Sequence, residues 1–289
     1  SPADRIPSGD NFDIDYVAHE MGHQLGDSHT YSFFEDYLGT EVEPGSGSTI
    51  MGYAGITGPT TDVQDHSDSY FHSISIDQVQ AVLAITNVDV ETAITNNPPL
   101  VQAMPTTYTI PKATAFVLTA VATDPDSDPL TYCWEEMDPS KLGNGITVSN
   151  IGNTTSGATF RSFLPTTSPT RYFPKLSTVL SGSVKNAFDF EAASIRARTK
   201  NFRVTVRDNK AGGQAQSAFQ NQEIVVGTAD AFTVITASGA AGSPVDITWV
   251  VSGTTASPYN VASVKIDYTT DGGATWSVLK ASVPNNGTA

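Results

Sequence analysis

Eleven residues near the start of the chain, His19-Glu20-Met21-Gly22-His23-Gln24-Leu25-Gly26-Asp27-Ser28-His29, restrict the local fold more than any other stretch. Residues four apart on an α-helix lie one above the other, so His19 and His23 face the same way and can aim two imidazole nitrogens at one ion. Tyr16, Val17, Met21 and Leu25 supply apolar positions at helical spacing, which predicts a helix from near Asp13 through Gln24. Gly26 follows where a residue able to take positive φ ends the helix and swings the chain back. His29, three residues later, then reaches the same ion as a third ligand.

Glu20 stands beside His19, within reach of a metal-bound water without being a ligand. That is the physical content of the HExxH pattern: zinc lowers the pKa of its water, and the glutamate accepts the proton as that water attacks a carbonyl. HExxH alone is short, and a histidine pair on a buried helix face accounts for it equally well. The glycine, the third histidine and a downstream Met-turn, Thr49-Ile50-Met51-Gly52-Tyr53, together favour the metal.

On these residues the segment resembles a metzincin zinc metallopeptidase, and within that clan it is similar to the bacterial reprolysin-like type with C-terminal Ig-like modules. The resemblance implies one catalytic zinc on His19, His23 and His29, Glu20 as general base, and Met51 as the apolar floor beneath the metal. It leaves Tyr53 open between a ligand that swings to stabilise the oxyanion, as in the astacin and serralysin branches, and a wall of the specificity pocket. Reprolysins proper carry disulfides here, whereas Cys133 is the single cysteine of this chain. The resemblance also implies a helix-backed sheet ahead of the active-site helix, whose edge strand binds the extended substrate. Only eighteen residues precede His19. The expected fold is therefore multidomain: the mostly α C-terminal half of a metzincin catalytic domain, its upstream sheet absent, followed by Ig-like β-sandwich modules. Activity is expected to be lost or impaired without the upper cleft.

A second helix is signalled by Ser75 as N-cap with Gln78 three residues on, then Val79, Val82 and Leu83. Asn96-Asn97-Pro98-Pro99 reads as a linker. From Leu100 the period changes to two, in Thr107–Ile110, Phe116–Val121, Leu130–Trp134, Phe202–Val206 and Glu223–Val226. The expected units are residues 1–98, the zinc-site part of the catalytic domain; 99–227, an Ig-like or cadherin-like β-sandwich enlarged between Asp138 and Lys200; and 228–289, a second Ig-like or fibronectin-III-like module too short to be whole. The last contains a hairpin, Val264–Tyr268 turning through Asp271-Gly272-Gly273 into Thr275–Val278.

The formal charge of −15 argues against nucleic acid and anionic membranes, whose attraction depends on Lys and Arg. No apolar run is long enough for a membrane span. The chain opens on Ser1 without a Met and is expected to be a mature or excised piece of a longer precursor. Asp124, Asp126 and Asp128, with Glu135 beyond, have the spacing of a calcium loop, but Pro129 stands where an EF-hand needs glycine. A calcium ion at the edge of the β module and a solvated turn both fit. His66 and His72 could bind metal but, as lone histidines in a polar loop, read as solvated, and Cys133 reads as a buried inert thiol.

The sequence thus points to a secreted or extracellular zinc endopeptidase acting on protein or peptide substrates. Its β modules would take a cell-surface or matrix ligand. The alternative is an adhesive or substrate-binding β-sandwich array headed by an inert metzincin remnant.

Overall fold

The computed structural model describes residues 8–32, 38–86, 92–105, 107–141, 145–236, 238–240, 242 and 244–289. The first helical stretch begins earlier than the apolar spacing predicts. An α-turn, Asp10–Phe12, runs into a π-helical segment, Asp13–Ala18, and then into α-helix His19–Gln24. The second helix spans Ser73–Ile85, and its N-cap is His72 instead of Ser75: the His72 Nδ1 accepts the Ile74 N–H at 3.2 Å. Ser75 lies inside the helix, buried.

The expectation of a mostly α first segment is wrong, and the chain as a whole is mostly β. Among the described residues, helix in this segment is confined to Asp10–Gln24 and Ser73–Ile85. Residues 38–72 form turns around a buried acid. Glu43 accepts Thr30 Oγ1 at 2.7 Å and the Ser48 N–H at 2.8 Å, and it also bonds the Thr49 hydroxyl. A carboxylate inside the protein requires such partners, and the loop folds around it.

Beyond Leu100, four strands form one sheet in the order Thr107–Ile110, Ser217–Val226, Arg198–Arg207, Thr131–Glu136, with the first pair parallel and the others antiparallel. A two-stranded sheet, Phe116–Thr119 with Thr170–Phe173, shares its core: Leu118, Trp134, Phe160, Phe173, Phe202, Val204, Val206 and Ile224. Alternate residues of a strand point to opposite faces. Trp134, Glu136, Lys200, Phe202 and Val204 therefore share the core face, while Cys133 and Glu135 point the other way. That second face is buried too, because the first segment lies on it. Burial pushes the Cys133 thiol far above its ordinary pKa, as an inert thiol requires.

The irregular stretch after Asp138 adds a second cluster, in which Ile146, Ile151, Phe190 and Ala192 pack with Val63 of the first segment. The C-terminal residues pair Thr233–Val234 with Trp249–Val250 and form the hairpin Ser263–Tyr268 with Ser277–Pro284. In its turn Asp271 accepts the Thr275 hydroxyl and N–H, which hold its carboxyl at about 2. Trp249 is buried and donates to Asn285 Oδ1 at 2.8 Å.

Candidate metal centre

The helix His19–Gln24 ends where the chain must reverse to bring His29 back. Gly26 does this at φ 97°. A side chain there would be strained and would strike Val82 on the second helix. Gln78 of that helix accepts the Ser28 N–H at 3.2 Å and fixes the returning chain.

The result is a cluster of three imidazoles. His29 Nε2 lies 3.1 Å from His23 Nε2 and 3.3 Å from His19 Nε2. The other ring nitrogens of the helical pair are engaged behind them: His19 Nδ1 with the Ile50 carbonyl at 2.7 Å, and His23 Nδ1 with the Asp27 carbonyl at 2.8 Å. A carbonyl only accepts, so each Nδ1 carries the proton and each Nε2 presents a lone pair. Lone pairs facing one another at these distances repel unless a proton or a cation lies between them. The three nitrogens suit a tetrahedral zinc that keeps its fourth position open. Burial lowers the His19 pKa against the opposing pull of the Ile50 carbonyl, which favours the neutral ligand form.

Met51 is fully buried below the helix. A Cβ placed on Gly22 would collide with its thioether and crowd Asp27 and Phe71, so the glycine lets the helix settle onto this floor. The Met-turn is held on all sides. Thr30 N–H donates to the Met51 carbonyl at 3.1 Å, Tyr53 N–H to Ser46 at 2.7 Å, and Ile50 N–H to Tyr70 at 3.1 Å. Tyr53 brings its ring 4.5 Å from the His29 ring and stacks on Tyr31 at 4.4 Å, centroid to centroid. Glu20 follows His19 on the helix and is exposed.

The aspartates from the calcium-loop pattern also meet, as a stapled turn. Asp124 Oδ1 accepts the N–H groups of Asp126 and Asp128 at 2.9 and 3.0 Å. Asp126 accepts the Asn97 N–H at 2.7 Å, and Lys210 Nζ sits 2.9 and 3.0 Å from the two Asp128 oxygens. The lysine supplies the positive charge at this turn. Glu135 lies elsewhere, fully buried.

His66 is solvated as expected, paired with Asp15 at 2.7 Å. His72 is not, being 1% exposed with its Nε2 3.6 Å from Glu135 Oε1. Around it runs a buried polar seam between the first segment and the sheet. Glu135 Oε2 accepts the Ser73 N–H at 3.1 Å, Ser162 Oγ donates to Glu135 Oε1 at 3.0 Å, and Tyr70 OH donates to Ser162 Oγ at 2.6 Å. Arg203 joins Asp77 at 2.6 Å, and Arg207 donates to the Phe71 carbonyl at 3.3 Å. The seam holds Tyr70 and the second helix, and these in turn hold Ile50, Gly26 and Ser28 around the histidines. Sequence reading missed it because its ties between the first segment and the sheet join residues more than sixty positions apart. Asp27 was missed as well: it is buried, neither carboxylate oxygen has a hydrogen-bond partner, and burial raises its pKa to about 7.

Residues 2–82 match the family model of the reprolysin-like metallo-peptidases of family M12B. The match takes in His19, Glu20, His23, His29, Met51 and Tyr53, and it supports a reprolysin-like metallopeptidase in this part of the chain. No curated protein matches the sequence. Among the described residues no helix is long and apolar enough to cross a membrane.

Proposed function

We propose that the chain is a zinc-dependent endopeptidase of metzincin type. The observation that carries this reading is the convergence of three imidazole Nε2 atoms, two of them fixed as lone-pair donors by backbone carbonyls behind them. When bound there, zinc acidifies a water and polarises the scissile carbonyl. Glu20, beside the first ligand and open to solvent, takes the proton of the attacking water and returns it to the leaving amine. His19 and His23 hold their orientation through the Ile50 and Asp27 carbonyls. Tyr53, stacked on Tyr31, forms a wall of the substrate pocket.

The substrates are proteins or peptides, met outside the cell. We read residues 99–227 and 228–289 as Ig-like units that present the centre to a surface or matrix ligand. Elemental analysis of the purified chain should give one zinc, lost on His23→Ala. The zinc-loaded full-length protein should cleave a denatured protein that its Glu20→Gln variant, still holding zinc, leaves intact. If the loaded full-length wild type cleaves neither denatured protein nor a peptide library, the enzymatic reading fails and the adhesive array takes its place.

A further inference from the structure

The core face of the large sheet contains a lysine that the proposed chemistry does not use. Lys200 is 0% exposed and Glu136, on the neighbouring strand, is 1% exposed. The Lys200 Nζ lies 3.0 Å from Glu136 Oε1, yet this oxygen has no partner in hydrogen-bond geometry. The other oxygen is held firmly: Glu136 Oε2 accepts the N–H groups of Thr159 at 2.9 Å and Phe160 at 3.1 Å. The Nζ also bonds the Thr159 hydroxyl, and it sits 4.4 Å from the centre of the Phe160 ring. Asp138, 6% exposed, stands alongside the pair and accepts from the Asn201 N–H at 3.0 Å.

We propose that Lys200 and Glu136 join as an intramolecular amide, a covalent cross-strand bridge formed when the sheet closes. Two backbone N–H groups on one carboxylate oxygen, with an amine beside the other, are the arrangement that acyl transfer needs. The dry, aromatic surroundings make the Lys200 ammonium costly to keep and favour its neutral, nucleophilic amine. Burial lowers the Lys200 pKa, and burial together with Glu136 raises that of Asp138 to about 7, which suits Asp138 to carry a proton between them.

The step balances without an external reagent. Asp138 takes a proton from the Lys200 ammonium, and the Nζ lone pair attacks the Glu136 carboxyl carbon. Negative charge collects on Oε2 under the Thr159 and Phe160 N–H groups. The C–Oε1 bond then breaks, and Oε1 departs as water with two protons that began on Nζ, passed through Asp138. Asp138 ends as it started, and one hydrogen remains on the amide nitrogen. The enclosed pair supplies the proximity that makes such a condensation favourable. A buried ion pair, costly to desolvate, becomes a neutral amide.

The test is the mass of the full chain after denaturation. We expect it to be lighter than the sequence by one water, with trypsin unable to cut after Lys200. A branched peptide should appear that joins Ala113–Lys141 to Thr199–Arg203, with fragmentation placing the link at Glu136. Lys200→Arg keeps the cation and should restore the full sequence mass, and Asp138→Asn should leave a fraction of chains unbridged. A wild-type mass equal to the sequence, with normal cleavage after Lys200, overturns the proposal. So does a water loss that maps to a succinimide at Asp271-Gly272, or a bridge that maps to Asp138 instead of Glu136. None of these readouts involves zinc or peptidase activity.

Discussion

Solvated His66 aside, the histidines fall into two groups that differ in what lies behind and in front of the ring. His19 and His23 are braced at Nδ1 by carbonyls and turn Nε2 toward a third histidine at the protein surface. His72 is deeper than either, and its ring is spent on structure: Nδ1 caps the second helix and Nε2 faces Glu135. A ligand needs an idle lone pair that can be approached, and only the first group offers one. The comparison teaches that burial and acidic neighbours do not make a metal site. What makes one is a second nitrogen fixed so that the first is left presented.

If that division of labour holds, mutations in the two groups separate chemistry from stability. The largest effect belongs to Glu20→Gln, which in the full-length protein should lower peptide hydrolysis by about 10²–10⁴-fold with zinc content and unfolding midpoint unchanged. Loss of zinc in this variant would break the assignment of Glu20 as base and not ligand. Glu135→Ala should do the reverse, costing about 3–5 kcal/mol in denaturant unfolding because Ser162, Ser73 and His72 lose a buried partner. If its midpoint stays put, the seam is not what joins the two regions.

Asp27 sharpens the comparison through pH. Its pKa rises from 3.8 to about 7 on burial, so the folded chain keeps a proton that the unfolded chain releases. Its contribution to the stability of the chelator-treated protein should be full below pH 4 and fall as pH rises to about 7, by up to about 4 kcal/mol. Asp27→Asn should flatten that slope, as thermal melts across the range would show. Tyr53→Phe, which keeps the stacked ring, should change kcat less than about tenfold; a loss near 10²-fold would make the hydroxyl an oxyanion donor. The smallest effect is Gln78→Ala, which removes one hydrogen bond from the returning chain at Ser28 and should cost about 1 kcal/mol.

The part of the centre that was legible in the sequence was set by local rules. Helical periodicity fixes His19 against His23, and the demand for positive φ fixes Gly26, so eleven residues encode most of the ligand geometry. Strand alternation showed the sheet residues in the same way. The rest depends on contacts across long stretches of chain. Glu43 reads as one more acid before a glycine-rich loop, and only the fold reveals that Thr30, Ser48 and Thr49 converge on it. The mostly α expectation failed there, because a loop built on side-chain hydrogen bonds has no period to detect. His72 looked like a solvated loop residue because its partner is strand residue 135. Glu136 and Lys200 lay just outside the strands the alternation picked out, Leu130–Trp134 and Phe202–Val206, and nothing local told that they would meet.

The buried seam also bears on how the molecule ages among proteases. Residues 92–95 are exposed and connect the metal-binding segment to the sheet. A cut there breaks the backbone, but it leaves the ties of Glu135, Ser162, Arg203 and Arg207 to the first segment in place. Clipping would therefore not set the first segment loose. A nicked molecule would travel as one particle under native conditions and fall into two pieces only in denaturant.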